Sequence, residues 1–440
     1  MAEQKLRVGI VGFGTVGSGV AKILLEDADS IAIRTGIRLE LAAVVDKDTE
    51  SPRKIVLPKG LLTGDLNRIL KDDTIQVVVE SVGGTTAAKE IQIQMLQAGK
   101  HIVTANKALL AEHGDQLYAA AIASDRSIGF EASCCGGIPI ILALRTGLAA
   151  NRINALYGIL NGTCNYILSK MTQSGADFRT VLSEAQTKGY AEADPSLDIN
   201  GTDTAHKLAI LAAIAFGGQI RMQDIYIEGI EQIASSDIQY AREMGYVIKL
   251  LAIGERTADG SVSLRVHPSL IHENTPLASV SGPFNAVSVT GHAVGKTMYY
   301  GRGAGMMATA SAVVADLIEI GLGSCQRVFR AMPMTTGQQE QIRIKKIQDI
   351  ECRFYIRLMA RDEPGVVARY GRILANHKIS IRGAIQHEGR GPDKTVPVVI
   401  TTHPTLELNM FNALDELARL KVIGTRPACI RIVDIPEDSE

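Results

Sequence analysis

The sequence has no tryptophan and few other aromatics, with 8 Phe and 11 Tyr in 440 residues. Stacking platforms for bases or sugars are therefore not its main theme. It has no excess of either charge. Its 46 Lys and Arg against 47 Asp and Glu leave a net charge of −1, so no electrostatic footprint points to nucleic acid or a membrane surface. It also lacks a long apolar run: the longest, Leu208 to Phe216, is too short to cross a bilayer. The six cysteines, Cys134, Cys135, Cys164, Cys325, Cys352 and Cys429, include no C-x-x-C pair and no Cys/His cluster with zinc spacing. Adjacent Cys134 and Cys135 have poor geometry for a shared disulfide. Free thiols in a soluble cytoplasmic protein are the expectation. What the chain does have is glycine, 42 residues of it, a first hint of backbone-lined ligand sites. At roughly 150 residues per domain, the length suggests about three domains.

The first 133 residues alternate strand and helix patterns. Apolar runs at 6–11, 39–46, 75–81, 101–105 and 127–133 are separated by helical stretches and glycines. That predicts an α/β fold with an N-terminal doubly wound parallel sheet, its strands covered on both faces. After Pro139 the pattern changes. A strand near 152–161, helices near 163–173, 178–188 and 202–216, and a hairpin with a DG-containing turn near 246–268 predict an α+β domain over 134–330. A helix near 306–322 is a candidate to rejoin the first domain. Residues 331–350 are polar and Gln-rich and read as a linker. Residues 351–436 follow the order β-α-β-β-α-β, the ferredoxin-like arrangement, with 387–395 as a loop.

A G-x-G-x-x-G motif occurs as Gly12, Gly14 and Gly17, after a strand and before a helix. Gly12 allows the tight turn, Gly14 lets backbone approach a pyrophosphate, and Gly17 permits close helix–strand packing. The helix N-terminus then faces the anion. This context points to a dinucleotide held by Gly12, Phe13, Gly14, Thr15, Val16 and Gly17. Asp46 ends the second strand, where an acid would bind the ribose 2′-hydroxyl of NAD. Lys47 and Arg53 could instead meet the 2′-phosphate of NADP, and both cofactors stay open.

Several motifs in order along the chain resemble homoserine dehydrogenase: GFGTVG (12–17), TANK (104–107), FEAS…GGIP (130–139), NGTCNYIL (161–168), GYAEADPSLD (189–198), GTDTAHKLAIL (201–211) and GRGAG (301–305). DEPG (362–365) resembles the first turn of an ACT domain. The resemblance spans nearly the whole chain. It implies NAD(P)-dependent interconversion of L-homoserine and L-aspartate 4-semialdehyde, on the route to threonine, methionine and isoleucine. One departure is Cys134-Cys135, where the family commonly has small aliphatic residues.

A carbonyl that becomes a hydroxyl needs an acid/base for its oxygen. Asp203 and Lys207 are four residues apart and share one helix face. A buried lysine loses pKa readily and can then trade a proton near neutrality. The resemblance makes Lys207 that group; spacing alone fits an ordinary Asp–Lys helix pair. Lys107 follows a strand end, where doubly wound sheets place their ligands, and a lysine at a helix start is disfavoured by the macrodipole. Glu192, Asp194, Asp198 and Asp203 form an acidic series. Carboxylates can hold the substrate's ammonium, cap a helix or bind a divalent ion. The resemblance implies that Glu192 and Asp203 contact homoserine with Asp198 in support, and that Gly189 and Gly303 lie by the cofactor. It also implies a sodium site on Glu131 and the carbonyls of Cys134, Gly136 and Ile138; a glycine-rich hinge explains those residues equally. NGT could place Asn161 and Thr163 beside the nicotinamide. His206 and Cys164 read as packed residues.

An ACT unit implies a small amino acid effector, threonine by resemblance, near Asp362 and Gly365, or else an assembly role without ligand. Such units pair, so a homodimer or homotetramer is expected. Two rivals remain at this stage. One is another Rossmann–ACT oxidoreductase, which would use a His-based relay. The other is an amino-acid sensor without activity, which would have lost Lys207 or Asp203.

Overall fold

Strand β1 (Gln4–Val11) carries Leu6, Val8 and Ile10, all at most 4% exposed, because helices cover both faces of its sheet. The computed structural model describes residues 4–53, 55–332, 342–386 and 395–436. Beside β1 lie β2 (Ile37–Val45), β3 (Leu62–Thr63), β4 (Val77–Glu80), β5 (His101–Thr104) and β6 (Ile128–Gly129). Their order is β3-β2-β1-β4-β5-β6, with every neighbour parallel. The order reverses between β1 and β4, which opens a crevice at the carboxyl ends of those strands.

The chain divides into two compact units that interleave in sequence. The first comprises 1–162, 203–223 and 284–342. It holds the parallel sheet and also the helix Met306–Gly321, whose Ala310, Val313, Val314, Leu317 and Ile320 share one core with β1, β2 and the helix Thr15–Glu26. Gly19 makes this possible: a Cβ there would lie 2.8 Å from the Met306 carbonyl oxygen. This unit also contains three antiparallel strands, Ile153–Ile159, Phe284–Gly291 and Gly295–Arg302. The last two form a hairpin that the sequence pattern did not reveal.

The second unit comprises 163–202, 224–283 and 343–440. The hairpin Tyr246–Arg256/Val262–His272 is antiparallel over its full length, and its DG turn places Gly260 at φ +81°. Strand Val262–His272 pairs in parallel with the last strand, Ala428–Ile432. Beyond it the order is Glu351–Arg361, Thr395–Thr402 and Ile381–Gln386, so the C-terminal region continues a mixed sheet. Helices Val366–Asn376 and Glu407–Ala418 cover one of its faces through Tyr370, Ile373, Leu374, Met410 and Leu417.

The expected linker 331–350 needs correction at both ends. Ala331 ends the helix Ser324–Ala331, and 342–350 is tied down. Ile344 bridges Val262 in parallel, and Val262 N–H donates to the Arg343 carbonyl at 2.9 Å. Polar side chains suggested a tether, but backbone hydrogen bonds to a sheet edge ask nothing of side-chain polarity. Residues 333–341 of that stretch, and 387–394 of the expected C-terminal loop, lie outside the described residues. Among the described residues no single helix is long and apolar enough to cross a membrane.

Candidate active site

The glycine loop follows β1 directly. Gly12 has φ +94°, and a Cβ on it would sit 2.7 Å from the Ser81 carbonyl oxygen. Gly17 is closed against the Gly12 carbonyl. Gly14, by contrast, has open space where its side chain would be. Two glycines are thus required by packing, while Gly14 leaves an approach at the N-terminus of the helix Thr15–Glu26. Phe13 is buried and Val16 is half-buried against the core, while Thr15 is exposed. Asp46 does more than end β2. Its Oδ2 accepts the Phe13 N–H at 2.5 Å and its Oδ1 accepts the Asp48 N–H at 2.9 Å. The carboxylate therefore braces the loop. Arg53 lies 3.5 Å from Asp46 and 5.9 Å from the Phe13 ring centre, and its Nε is buried without a hydrogen-bond partner. Lys47 is exposed.

At the end of β5, Asn106 caps the helix Lys107–Ala123 by accepting the Leu109 N–H at 3.1 Å. Lys107 is the first residue of that helix, where the macrodipole opposes its charge. Its Nζ is 3.0 Å from Asp203 Oδ1. The other carboxylate oxygen, Oδ2, accepts Lys207 Nζ at 2.7 Å and Asn161 Nδ2 at 2.9 Å. Lys207 also donates to the Leu160 carbonyl at 2.6 Å. Asp203 and Lys207 are buried, whereas the Lys107 side chain is 39% exposed. Burial pushes the Asp203 carboxyl up, but the Lys207 and Lys107 ammonium groups outweigh it and hold the carboxyl below its ordinary range. Burial likewise pushes Lys207 down, yet Asp203 more than offsets this and leaves it above the ordinary lysine value. The expected loss of pKa on burial does not occur, because the residue one helical turn earlier supplies a full counter-charge.

In the second unit, the helix Gly162–Ser174 acts through its first turn. Thr163 Oγ1 donates to the Tyr190 carbonyl at 2.7 Å and Cys164 Sγ to the Asp198 carbonyl at 3.2 Å. Asn165 Nδ2 donates to the Gly282 carbonyl at 2.9 Å. Thr163 and Cys164 thus bracket the acidic segment at its two ends. Glu192 and Asp194 are exposed and Asp198 is half-buried. Gly189 ends the preceding helix at φ +74°.

Comparison with known proteins decides the lineage. Residues 12–131 match the NAD binding domain of homoserine dehydrogenase, and residues 139–318 match the homoserine dehydrogenase family proper. A homoserine dehydrogenase of Neisseria gonorrhoeae is 42% identical over 432 residues, 98% of this chain and 99% of that protein. The crystal structure of a homoserine dehydrogenase from Thiobacillus denitrificans superposes with a TM-score of 0.90 at 42% identity, covering 98% of this chain and 99% of that one. The chain belongs to the homoserine dehydrogenase family. A hyperthermophilic archaeal homoserine dehydrogenase mutant, solved in complex with NADPH, matches with a TM-score of 0.59 at 26% identity over 73% of this chain and 98% of that one.

Other residues suggested by the family resemblance have structural tasks of their own. Both oxygens of Glu131 accept backbone N–H groups, from Ile141 at 2.9 Å and Leu142 at 2.7 Å. The Ile138 carbonyl accepts the Ile140 N–H at 2.7 Å. Cys134 is buried and lies 3.7 Å from the Lys207 carbonyl, and Gly136 packs on Thr309. Gly303 is glycine because the Asn285 amide fills its side-chain position. His206 is buried on the helix Thr202–Ala212, and Cys164 is fully buried. In the C-terminal region, Asp362 accepts Gln386 Nε2 at 3.4 Å and Gly365 precedes the helix Val366–Asn376 at φ +84°. Sequence reasoning missed the Leu160 carbonyl, a backbone group with no residue signature. It also missed Asn161 as a partner of Asp203; the NGT motif marked that residue without showing what it touches.

Proposed function

We propose that Lys207 is the acid and base in the reaction of this family, the NAD(P)-dependent interconversion of L-homoserine and L-aspartate 4-semialdehyde. The observation that carries this reading is the Lys207–Asp203–Lys107 chain, with links of 2.7 and 3.0 Å and its Lys207–Asp203 pair buried. When bound, the nicotinamide supplies or accepts the hydride at the substrate's C4. Lys207 has two of its three N–H bonds fixed by Leu160 and Asp203. Its third proton is the one given to the carbonyl oxygen as the aldehyde becomes an alcohol. In the oxidative direction a neutral Lys207 takes the hydroxyl proton. Asp203, held ionised, orients Lys207 and does not itself take the proton. Lys107 adds positive charge beside the reacting oxygen and can share in proton transfer.

The dinucleotide is assigned to the loop Gly12, Phe13, Gly14, Thr15, Val16 and Gly17, with Asp46 at the ribose and Lys107, Gly189 and Gly303 beside it. The open space at Gly14 supports this. Glu192, Asp198 and Asp203 are assigned to the substrate. A sodium ion is assigned to Glu131 with the carbonyls of Cys134, Gly136 and Ile138; each Glu131 oxygen keeps a lone pair beyond its backbone bond. The element order β-α-β-β-α-β supports a ferredoxin-like ACT unit that takes threonine near Asp362 and Gly365, in a cytoplasmic homodimer or homotetramer.

The test is Lys207→Ala assayed for homoserine-dependent NAD(P) reduction. Turnover should be lost while direct cofactor binding survives. Near-normal turnover would remove Lys207 from the chemistry.

A further inference from the structure

Glu80 closes β4 and is completely buried. Its hydrogen bonds come from three donors, and none of them is a cation. Oε1 accepts the Val82 N–H at 2.7 Å, and Oε2 accepts Gln92 Nε2 at 2.7 Å and the Thr104 hydroxyl at 2.8 Å. Burial pushes this carboxyl up, and the three hydrogen bonds oppose the push. A carboxylate in such a place is costly, and here only its hydrogen bonds offset the cost. An amide at this position would turn a donor toward one of three donors, and an apolar side chain would strand all three.

The three bonds lead in one direction. Glu80 and Thr104 face each other across β4 and β5. Thr104 Oγ1, while donating to Glu80, accepts the Asn106 N–H at 3.0 Å. The Asn106 amide reaches back to the Gly84 carbonyl at 2.7 Å and the Val82 carbonyl at 3.3 Å. The same side chain caps the helix on which Lys107 is the first residue. Glu80, Thr104, Asn106 and Val82 thus form one closed loop of bonds at the carboxyl ends of β4 and β5, with Gly84 joined to it through Asn106. Lys107 leaves from it to meet Asp203 at 3.0 Å.

We propose that Glu80 is a positioning residue for the reaction: its carboxylate ties the ends of β4 and β5 together through Thr104 and Asn106, and so fixes where Lys107 meets Asp203. The proposal rests on the reading of Lys107 as part of the catalytic machinery. Exposed as it is, Lys107 has little packing of its own to hold it, so its position depends on the turn beneath it.

Two near-isosteric changes perturb the network at different atoms: Glu80→Gln turns an amide donor toward one of the three donors, and Thr104→Val removes the hydroxyl between Glu80 and Asn106. They are to be made in the full chain, alone, together and each with Lys107→Ala, and folding followed by the unfolding midpoint. A misplacement of about 1 Å can cost up to about 100-fold in rate. Glu80→Gln and Thr104→Val should each lower kcat roughly tenfold, with the homoserine KM changed less than about threefold, and the double variant should lose little more than either alone. In the Lys107→Ala background the same changes should lower kcat less than about twofold. Wild-type kcat in both single variants overturns the proposal. So does an undiminished tenfold loss in the Lys107→Ala background, since Glu80 would then act elsewhere. Lys107→Ala at wild-type kcat would overturn it by another route, by removing the underlying reading of Lys107.

Discussion

Replacing Asp203 by Asn should reverse the direction of the Lys207 pKa shift and leave a pH signature in stability. Asp203 Oδ2 accepts both Asn161 and Lys207, so an asparagine would keep its oxygen there and turn its amide toward Lys107. Lys107 can swing into water. Lys207, 9% exposed, cannot, and keeps only neutral acceptors such as the Leu160 carbonyl. Breaking a buried pair from one side costs about 3–5 kcal/mol. That loss should appear at pH 7. In the wild type, Asp203 raises the folded-state pKa of Lys207 above the ordinary value. Its stabilisation is present below the unfolded lysine pKa of about 10.4 and is lost as pH rises through the folded pKa. In the variant, burial acts unopposed and the folded pKa falls below the unfolded one. The unfolded state then binds more protons, so stability rises by up to about 1.4 kcal/mol per pH unit between the two pKa values. The gap between wild type and Asp203→Asn should thus be widest near neutrality and narrow as pH approaches about 10. Urea unfolding at fixed pH from about 7 to 10 reads this directly. A gap that stays constant across that range would show that Lys207 carries no buried charge, and would refute the reasoning.

Three further outcomes follow from the same geometry. Because free Lys207 is protonated well past neutrality, kcat/KM for homoserine oxidation should rise about tenfold per pH unit from roughly pH 7 to beyond 9, while semialdehyde reduction stays nearly flat; an oxidation plateau below about pH 8 would contradict it. Arg53→Ala should weaken NADPH binding roughly tenfold more than NADH binding, since Arg53 is the cation with an unpartnered buried Nε beside Asp46; equal weakening, read by direct fluorescence titration, would place the 2′-phosphate elsewhere. Asp362→Ala should raise the threonine concentration for half-inhibition by about tenfold with basal kcat retained; unchanged sensitivity would move the effector away from the DEPG turn.

What could be read from the sequence divides by the range of the interaction concerned. The glycine loop and the parallel strands were legible because each β–loop–α unit is local: Gly12, Gly14 and Gly17 serve their turn within six residues of one another. The hairpin Phe284–Arg302 was not, since in its second strand half-buried and exposed residues alternate without a clean apolar face. The stretch 342–350 was misread for a related reason, as its attachment to Val262 runs through backbone atoms that every sequence possesses. The two interleaved units could not be seen in a linear scan, because the helix carrying Asp203 and Lys207 joins its unit across a sequence gap of some forty residues.

Lys207 shows the same boundary at the level of chemistry. Its spacing from Asp203 was plain in the sequence, and so was its place on a largely apolar helix. The sign of its pKa shift was not, because burial and the counter-charge act in opposite directions and their balance depends on distance. At 2.7 Å, with Asp203 itself buried and bonded to Asn161, the pair wins over desolvation. On the proposed reading of Lys207, it rests as an acid, suited to the reductive direction, and oxidation must first remove its proton. Asp203 meets two lysines, and only the exposed one, Lys107, can leave. On the proposed reading, a substrate bearing its own ammonium would displace Lys107 from Asp203 without disturbing Lys207, so that binding rearranges the charges while the proposed proton donor stays fixed.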